Sequence, residues 1–197
     1  PHHIREPNTD GFEDDLIRNI HELLSLTMGR TMVLFTSYHL LTTLRDTITI
    51  PGLDLIVQGE MDNYRLLQHF RENSRSVLFG TYAFWQGIDI PGDALKCVII
   101  TKLPFAVPDD PVIEGRMESL LREGKNPFLH YQVPQAAILL KQGFGRLIRT
   151  KSDRGAVAIL DPRIRTKSYG IQFLKSLPEC TITASRDDIV PFAGRDR

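Results

Sequence analysis

Cysteine is scarce in this sequence. Its 197 residues hold two, Cys97 and Cys180, far apart in the chain. Two isolated thiols make neither a disulfide framework nor a zinc-ligand spacing. Cys97 lies inside an apolar run and reads as a buried structural thiol. Net charge is lacking too: 24 basic and 24 acidic residues cancel, so overall charge does not argue for a nucleic-acid partner. No apolar run is long enough to span a bilayer, and no secretory signal is present, so a cytoplasmic location with no membrane partner is the expectation. The sequence contains no Gly-x-x-x-x-Gly-Lys-Ser/Thr loop and no Asp-Glu-x-His box, the usual sources of a β-phosphate cradle and a magnesium site. No Gly-x-Gly-x-x-Gly follows the first predicted strand, which excludes a stand-alone dinucleotide dehydrogenase. Internal repeats and low-complexity tracts are absent as well.

What is present is an alternation. With 42% apolar residues the chain can bury a real core, and its length suits one large α/β domain over 1–197. Apolar residues at helical spacing predict a helix over 11–28, stopped by Gly29, as an N-terminal extension. Short apolar runs predict strands at 31–36, 53–57, 76–79, 97–100 and 155–160. Helical patterns lie between them at 37–48 and 62–72, with a last helix at 167–176. Residues 106–141, bounded and broken by prolines, read as a mostly helical insertion. Continuous apolar strands separated by helices predict a mainly parallel sheet covered on both faces. Ligands on such sheets bind beyond the carboxyl ends of the strands.

Three segments fall at those ends. In Val33-Leu34-Phe35-Thr36-Ser37-Tyr38, hydroxyls sit where a strand passes into a helix. Ser37 is either a plain N-cap or part of a phosphate site using free N–H groups. In the segment from Gly80-Thr81 through Trp85-Gln86-Gly87-Ile88-Asp89, Trp85 is either core, a wedge against a neighbouring domain, or a platform that stacks on a base. Asp89 is either a turn residue or a partner for a ribose, an arginine or a metal-bound nucleotide. The third segment is Gln142-Gly143-Phe144-Gly145-Arg146-Leu147-Ile148-Arg149. On a helix, Arg146 and Arg149 would share a face and point at one anion. Arginine suits phosphate because its planar fork donates several bonds and keeps its charge. Between Lys141 and Lys167 eight cations face Asp153 and Asp161 alone, a local excess of six. Such a run is either a solvated surface or part of a phosphate site.

Together, in this order, the three segments resemble motifs IV, V and VI of the second motor lobe of superfamily 2 helicases. More narrowly they resemble the DinG/XPD branch, and the Trp-Gln-Gly-Ile-Asp wording and Leu103-Pro104-Phe105 lean towards its bacterial DinG members; DEAD-box proteins fit less well. The resemblance covers about residues 11–176 and implies a RecA-like P-loop NTPase-type fold. It implies an ATP-dependent DNA helicase in which ATP and Mg2+ are bound between two lobes, mainly by the first, which is not in this sequence. Any iron–sulfur cluster would also belong to the first lobe. By position, Arg149 and Arg146 become arginine fingers. Gln142, Gly145, Gly87 and Asp89 become nucleotide-site residues. Thr36, Ser37, Gly80, Thr81 and Trp85 become contacts to single-stranded DNA. The partners implied are single-stranded DNA and the first lobe, the direction of travel 5′ to 3′, and this chain alone is expected not to hydrolyse ATP. A non-catalytic nucleic-acid-binding or regulatory module of the same shape is the alternative.

Overall fold

The run Thr31–Leu34 forms β1, and every residue in it is buried. A strand with no exposed side chain must be covered on both faces, which places it at the centre of a sheet. The computed structural model describes residues 4–85, 94–106, 111–148 and 153–193. Around β1 lie β2 (Asp54–Val57), β3 (Ser76–Gly80), β4 (Cys97–Ile100) and β5 (Ala156–Ile159). They form one five-stranded sheet in the order β2-β3-β1-β4-β5, with every neighbouring pair parallel. The strands predicted from apolar runs are those observed, and the fold class is α/β as expected.

Period-two alternation divides the core into two layers. Val33, Phe35, Val57, Phe79, Cys97 and Ile99 face one side. There they meet Phe12, Leu16, Ile20, Leu23 and Leu24 of α1 (Phe12–Thr27) and Leu40, Leu41 and Leu44 of α2 (Tyr38–Thr47). Met32, Leu34, Ile56, Leu78, Val98 and Ile100 face the other side. That layer packs on α3 (Asn63–Glu72), the single turn α4 (Tyr82–Trp85) and α6 (Val133–Phe144). Buried Cys97 has its thiol pushed up to about 12 by loss of hydration, an inert structural cysteine as expected.

Local chemistry sets the helix ends. α1 stops at Met28, whose backbone is left-handed and whose N–H closes on the Leu24 carbonyl. Gly29 follows at φ 119°, where an added Cβ would lie 2.2 Å from the Ser74 carbonyl oxygen. Asp62 caps α3 by accepting from the Arg65 N–H at 3.0 Å. Buried Asp15 accepts from the main-chain N–H and guanidinium of Arg5, with Arg18 alongside. Those bonds from Arg5 hold its carboxyl below the ordinary range.

The 106–141 region carries α5 (Pro111–Arg122), which buries none of its residues, and a π-helical turn at Phe128–Gln132 that runs into α6. Phe105, after β4, packs against Phe128 at 5.3 Å between ring centres and against Phe173 of α8 (Gly170–Ser176) at 5.7 Å. This aromatic group ties the helical region to the end of β4. Two details differ from the pattern in the sequence. The helix expected over 167–176 begins only at Gly170, as α8, and a short α7 (Arg163–Thr166) that the pattern did not predict precedes it, so close that a Cβ on Gly170 would lie 2.1 Å from the Ile164 carbonyl oxygen. α6 ends at Phe144, so Arg146 lies in a turn and not on a helix. Gly143 lets α6 approach the Trp85 ring, and the Gly145 N–H makes the last helical bond, to the Lys141 carbonyl at 2.9 Å.

Candidate functional site

The carboxyl ends of three adjacent strands make one rim, because β2, β3 and β1 are neighbours and parallel. Beyond β1 lie Thr36 and Ser37, beyond β3 Thr81, and beyond β2 Gln58. Ser37 is exposed, and its hydroxyl oxygen accepts from the Leu40 N–H at 3.2 Å. It is therefore the N-cap of α2, and its O–H proton remains to be donated. Thr36 beside it is half-buried. Gly80 ends β3 under the Phe84 ring, which an added Cβ would meet at 2.7 Å.

Thr81 is nearly buried, and both its donors are engaged. Its N–H reaches Gln58 Oε1 at 2.7 Å and its hydroxyl reaches the same atom at 3.0 Å. The Gln58 carbonyl in turn accepts from the Tyr38 hydroxyl at 2.8 Å. Gln58 thus joins the ends of all three strands, and sequence reading missed it. The available signal was positional: a polar residue directly after a buried strand, followed by a glycine, at the sheet edge where ligands bind.

Trp85 is corrected from the base-stacking role. Its side chain is fully buried among the core residues of the α6 layer, and its indole N–H donates to the Phe35 carbonyl at 3.3 Å. A ring enclosed on every side offers no face to a base. Its main-chain carbonyl instead accepts from Arg146, at 3.1 Å from Nε and 2.6 Å from Nη2. The arginine segment and the tryptophan segment, 61 residues apart in sequence, are joined by that fork. Gln142 is exposed on the last turn of α6, and Gly145 is half-buried just after it. Gly87, Asp89 and Arg149 lie outside the described residues.

Two cations of the basic run are committed within the fold. Arg163 is held by Asp161, Nη2 to Oδ2 at 2.6 Å, and the Asp161 carboxylate is wholly buried. That carboxylate also accepts from the Leu103 N–H at 2.8 Å, which fixes the end of β4 to the end of β5. Lys167 pairs with Glu6 at 2.8 Å. These two cations brace the fold. Among the described residues no group of three or more His, Cys, Asp or Glu side chains gathers where a metal ion could sit, and no helix is long and apolar enough to cross a membrane.

Comparison with known proteins gives a consistent answer. A family model for the helicase C-terminal domain matches residues 20–180. The ATP-dependent DNA helicase YoaA of Haemophilus influenzae is 40% identical over 191 residues, 94% of this chain and 30% of that protein. The ATP-dependent DNA helicase DinG of Photobacterium profundum is 42% identical over 183 residues, 88% of this chain and 26% of that one. The 3'-5' exonuclease DinG of Bacillus subtilis is 35% identical over 190 residues, 93% of this chain and 20% of that protein. The chain therefore spans less than a third of the length of these relatives. Among solved structures, an XPD chain in its apo form superposes with a TM-score of 0.68 at 18% identity, covering 86% of this chain and 35% of that one. Dbp5 of S. cerevisiae bound to RNA and ADP BeF3 superposes with a TM-score of 0.57 at 18% identity, covering 92% of this chain and 42% of that one. Those likenesses show the fold, a RecA-like helicase domain.

Proposed function

This chain belongs to the helicase C-terminal domain family, on its DinG/XPD side, and we propose that it is the second motor lobe of an ATP-dependent DNA helicase. The observation that carries the reading is the Arg146 fork on the Trp85 carbonyl at the rim of the sheet. It links the strand-end loop after β3 to the segment bearing Arg149, so a change at one is felt at the other. In this reading the first lobe, elsewhere in the full-length protein, holds the β-phosphate and Mg2+. ATP is the substrate, bound in the cleft between lobes.

Arg149 extends from this lobe to the γ-phosphate. Its fixed positive charge stabilises the negative charge spread over the transferring phosphoryl oxygens. Arg146, held by its fork, positions that segment and adds positive potential beside it. Gln142 and Gly145 line the approach, while Gly87 and Asp89 belong to the loop that meets the nucleotide. Single-stranded DNA crosses the rim formed by Thr36, Ser37, Gly80 and Thr81, where the Ser37 hydroxyl is a neutral donor to the backbone that reads no sequence, while the Thr81 donors are committed to Gln58. Closing of the cleft on ATP and opening after hydrolysis then move the strand, in the 5′ to 3′ direction that the DinG/XPD resemblance implies. A cytoplasmic enzyme acting on DNA fits this reading.

Binding of single strands by this chain alone tests the DNA half of the proposal. The chain is expected to bind a fluorescent oligothymidylate weakly, with log affinity falling as log salt rises. Anisotropy that stays flat at low salt would overturn the DNA track.

A further inference from the structure

We propose that Gln58 is itself a contact to the DNA backbone and that Thr81 serves to hold it in place, an inference that rests on the single-stranded DNA track above. The main chain of Gln58 is fixed from two directions. Its N–H donates to the Phe79 carbonyl at 2.9 Å, and its carbonyl accepts from the Tyr38 hydroxyl at 2.8 Å. Gly59 follows at φ 96°, where an added Cβ would lie 2.3 Å from the Tyr38 hydroxyl oxygen. Only glycine lets the tyrosine close over the chain at that point.

The side chain is fixed as firmly. One end of its amide meets both the Thr81 N–H, at 2.7 Å, and the Thr81 hydroxyl, at 3.0 Å. A backbone N–H can only donate, so the end facing Thr81 is the carbonyl oxygen. The NH2 end is therefore turned away. Among the described residues it donates to no acceptor, and Gln58 is only half-buried, so solvent and ligands reach it.

The consequence is a transfer of role. The donors of Thr81 are committed to Gln58, whereas Gln58 presents two N–H groups that are oriented, uncharged and held at the strand ends. The ligand chemistry that fits is an acceptor-only anion, and a phosphodiester oxygen is one. Gln58, Thr81 and Ser37 follow β2, β3 and β1 in spatial order. Strand spacing puts Gln58 roughly 10 Å from Ser37, so one stretch of single strand meets both.

Two substitutions in the 197-residue chain separate contact from positioning. Gln58→Met keeps the length of the side chain and removes the amide. Gln58→Glu keeps an oxygen for both Thr81 donors and turns a second oxygen, an acceptor, towards the strand. Oligothymidylate anisotropy is read at low salt and again near 0.15 M, about where long-range repulsion is largely screened. Both variants are expected to bind about tenfold more weakly at either salt, with urea midpoints for Gln58→Glu close to the parent's. If Gln58→Met is weakened and Gln58→Glu binds like the parent, Gln58 is only a positioning residue and the inference is overturned. If both bind like the parent, it is overturned as well. Should Gln58→Met fail to fold, Gln58→Glu decides alone. A parent chain that binds no single strand overturns the DNA track first, and Gln58 with it.

Discussion

Replacing Arg149 by alanine, in a protein that joins this lobe to its first lobe, is expected to lower DNA-stimulated ATP turnover about 10³-fold or more. The expected size follows from where the charge acts. A guanidinium reaching a transferring phosphoryl group works in a closed, water-poor cleft, where a fixed charge counts far more than at a surface. Single-strand affinity of that variant should stay within about twofold of the parent, because Arg149 is assigned to the nucleotide and not to the rim. Arg146→Ala is expected to differ in kind. Its fork holds the Trp85 carbonyl, so losing it should weaken DNA binding and turnover together. Steady-state kinetics with varied ATP and varied DNA separate the two patterns. Near-normal turnover by Arg149→Ala would favour a non-catalytic module of the same shape.

The second large effect is on stability. Trp85→Ala is expected to destabilise the chain by about 4 kcal/mol, the usual cost of emptying a large buried aromatic site. Trp85 is wholly enclosed and Gly143 gives it room, with an added Cβ there 2.9 Å from the ring. Nothing small moves in to fill such a space, and the Phe35 carbonyl loses its donor. Trp85→Phe should cost less, about 1–2 kcal/mol, because most of the volume remains. Urea unfolding measures both. A base-stacking tryptophan would show the reverse: near-parent stability and a clear loss of single-strand affinity.

That contrast shows which parts of the molecule were legible in the sequence. The five strands were readable because a strand buried on both faces must be apolar along its whole length, as Thr31–Leu34 and Cys97–Ile100 are. Parallel order then placed Ser37 and Thr81 at one edge, where they are found. Tertiary contacts were harder to read. Glycines beside Arg146 permit close approach without saying of what; the packing shows that Gly143 makes room for Trp85 and that α6 ends before the arginine. A tryptophan next to a strand end is apolar in either role, so only the packing could decide. Gln58 carries little signal of its own in the sequence because its importance lies in the partner it meets, Thr81, 23 residues away. Within the basic run, the pairing of Arg163 was not legible either, since the buried carboxylate that claims it is fixed only when β4 and β5 stand side by side.

The account's central claim is that this lobe completes a nucleotide site whose cradle lies on another lobe. The most direct measurement is ATP hydrolysis by this chain alone and by the same chain joined to its first lobe, each with and without single-stranded DNA. No turnover alone and DNA-stimulated turnover when joined is the result expected. Turnover by the isolated chain, or a joined protein whose hydrolysis ignores both DNA and Arg149, would contradict it.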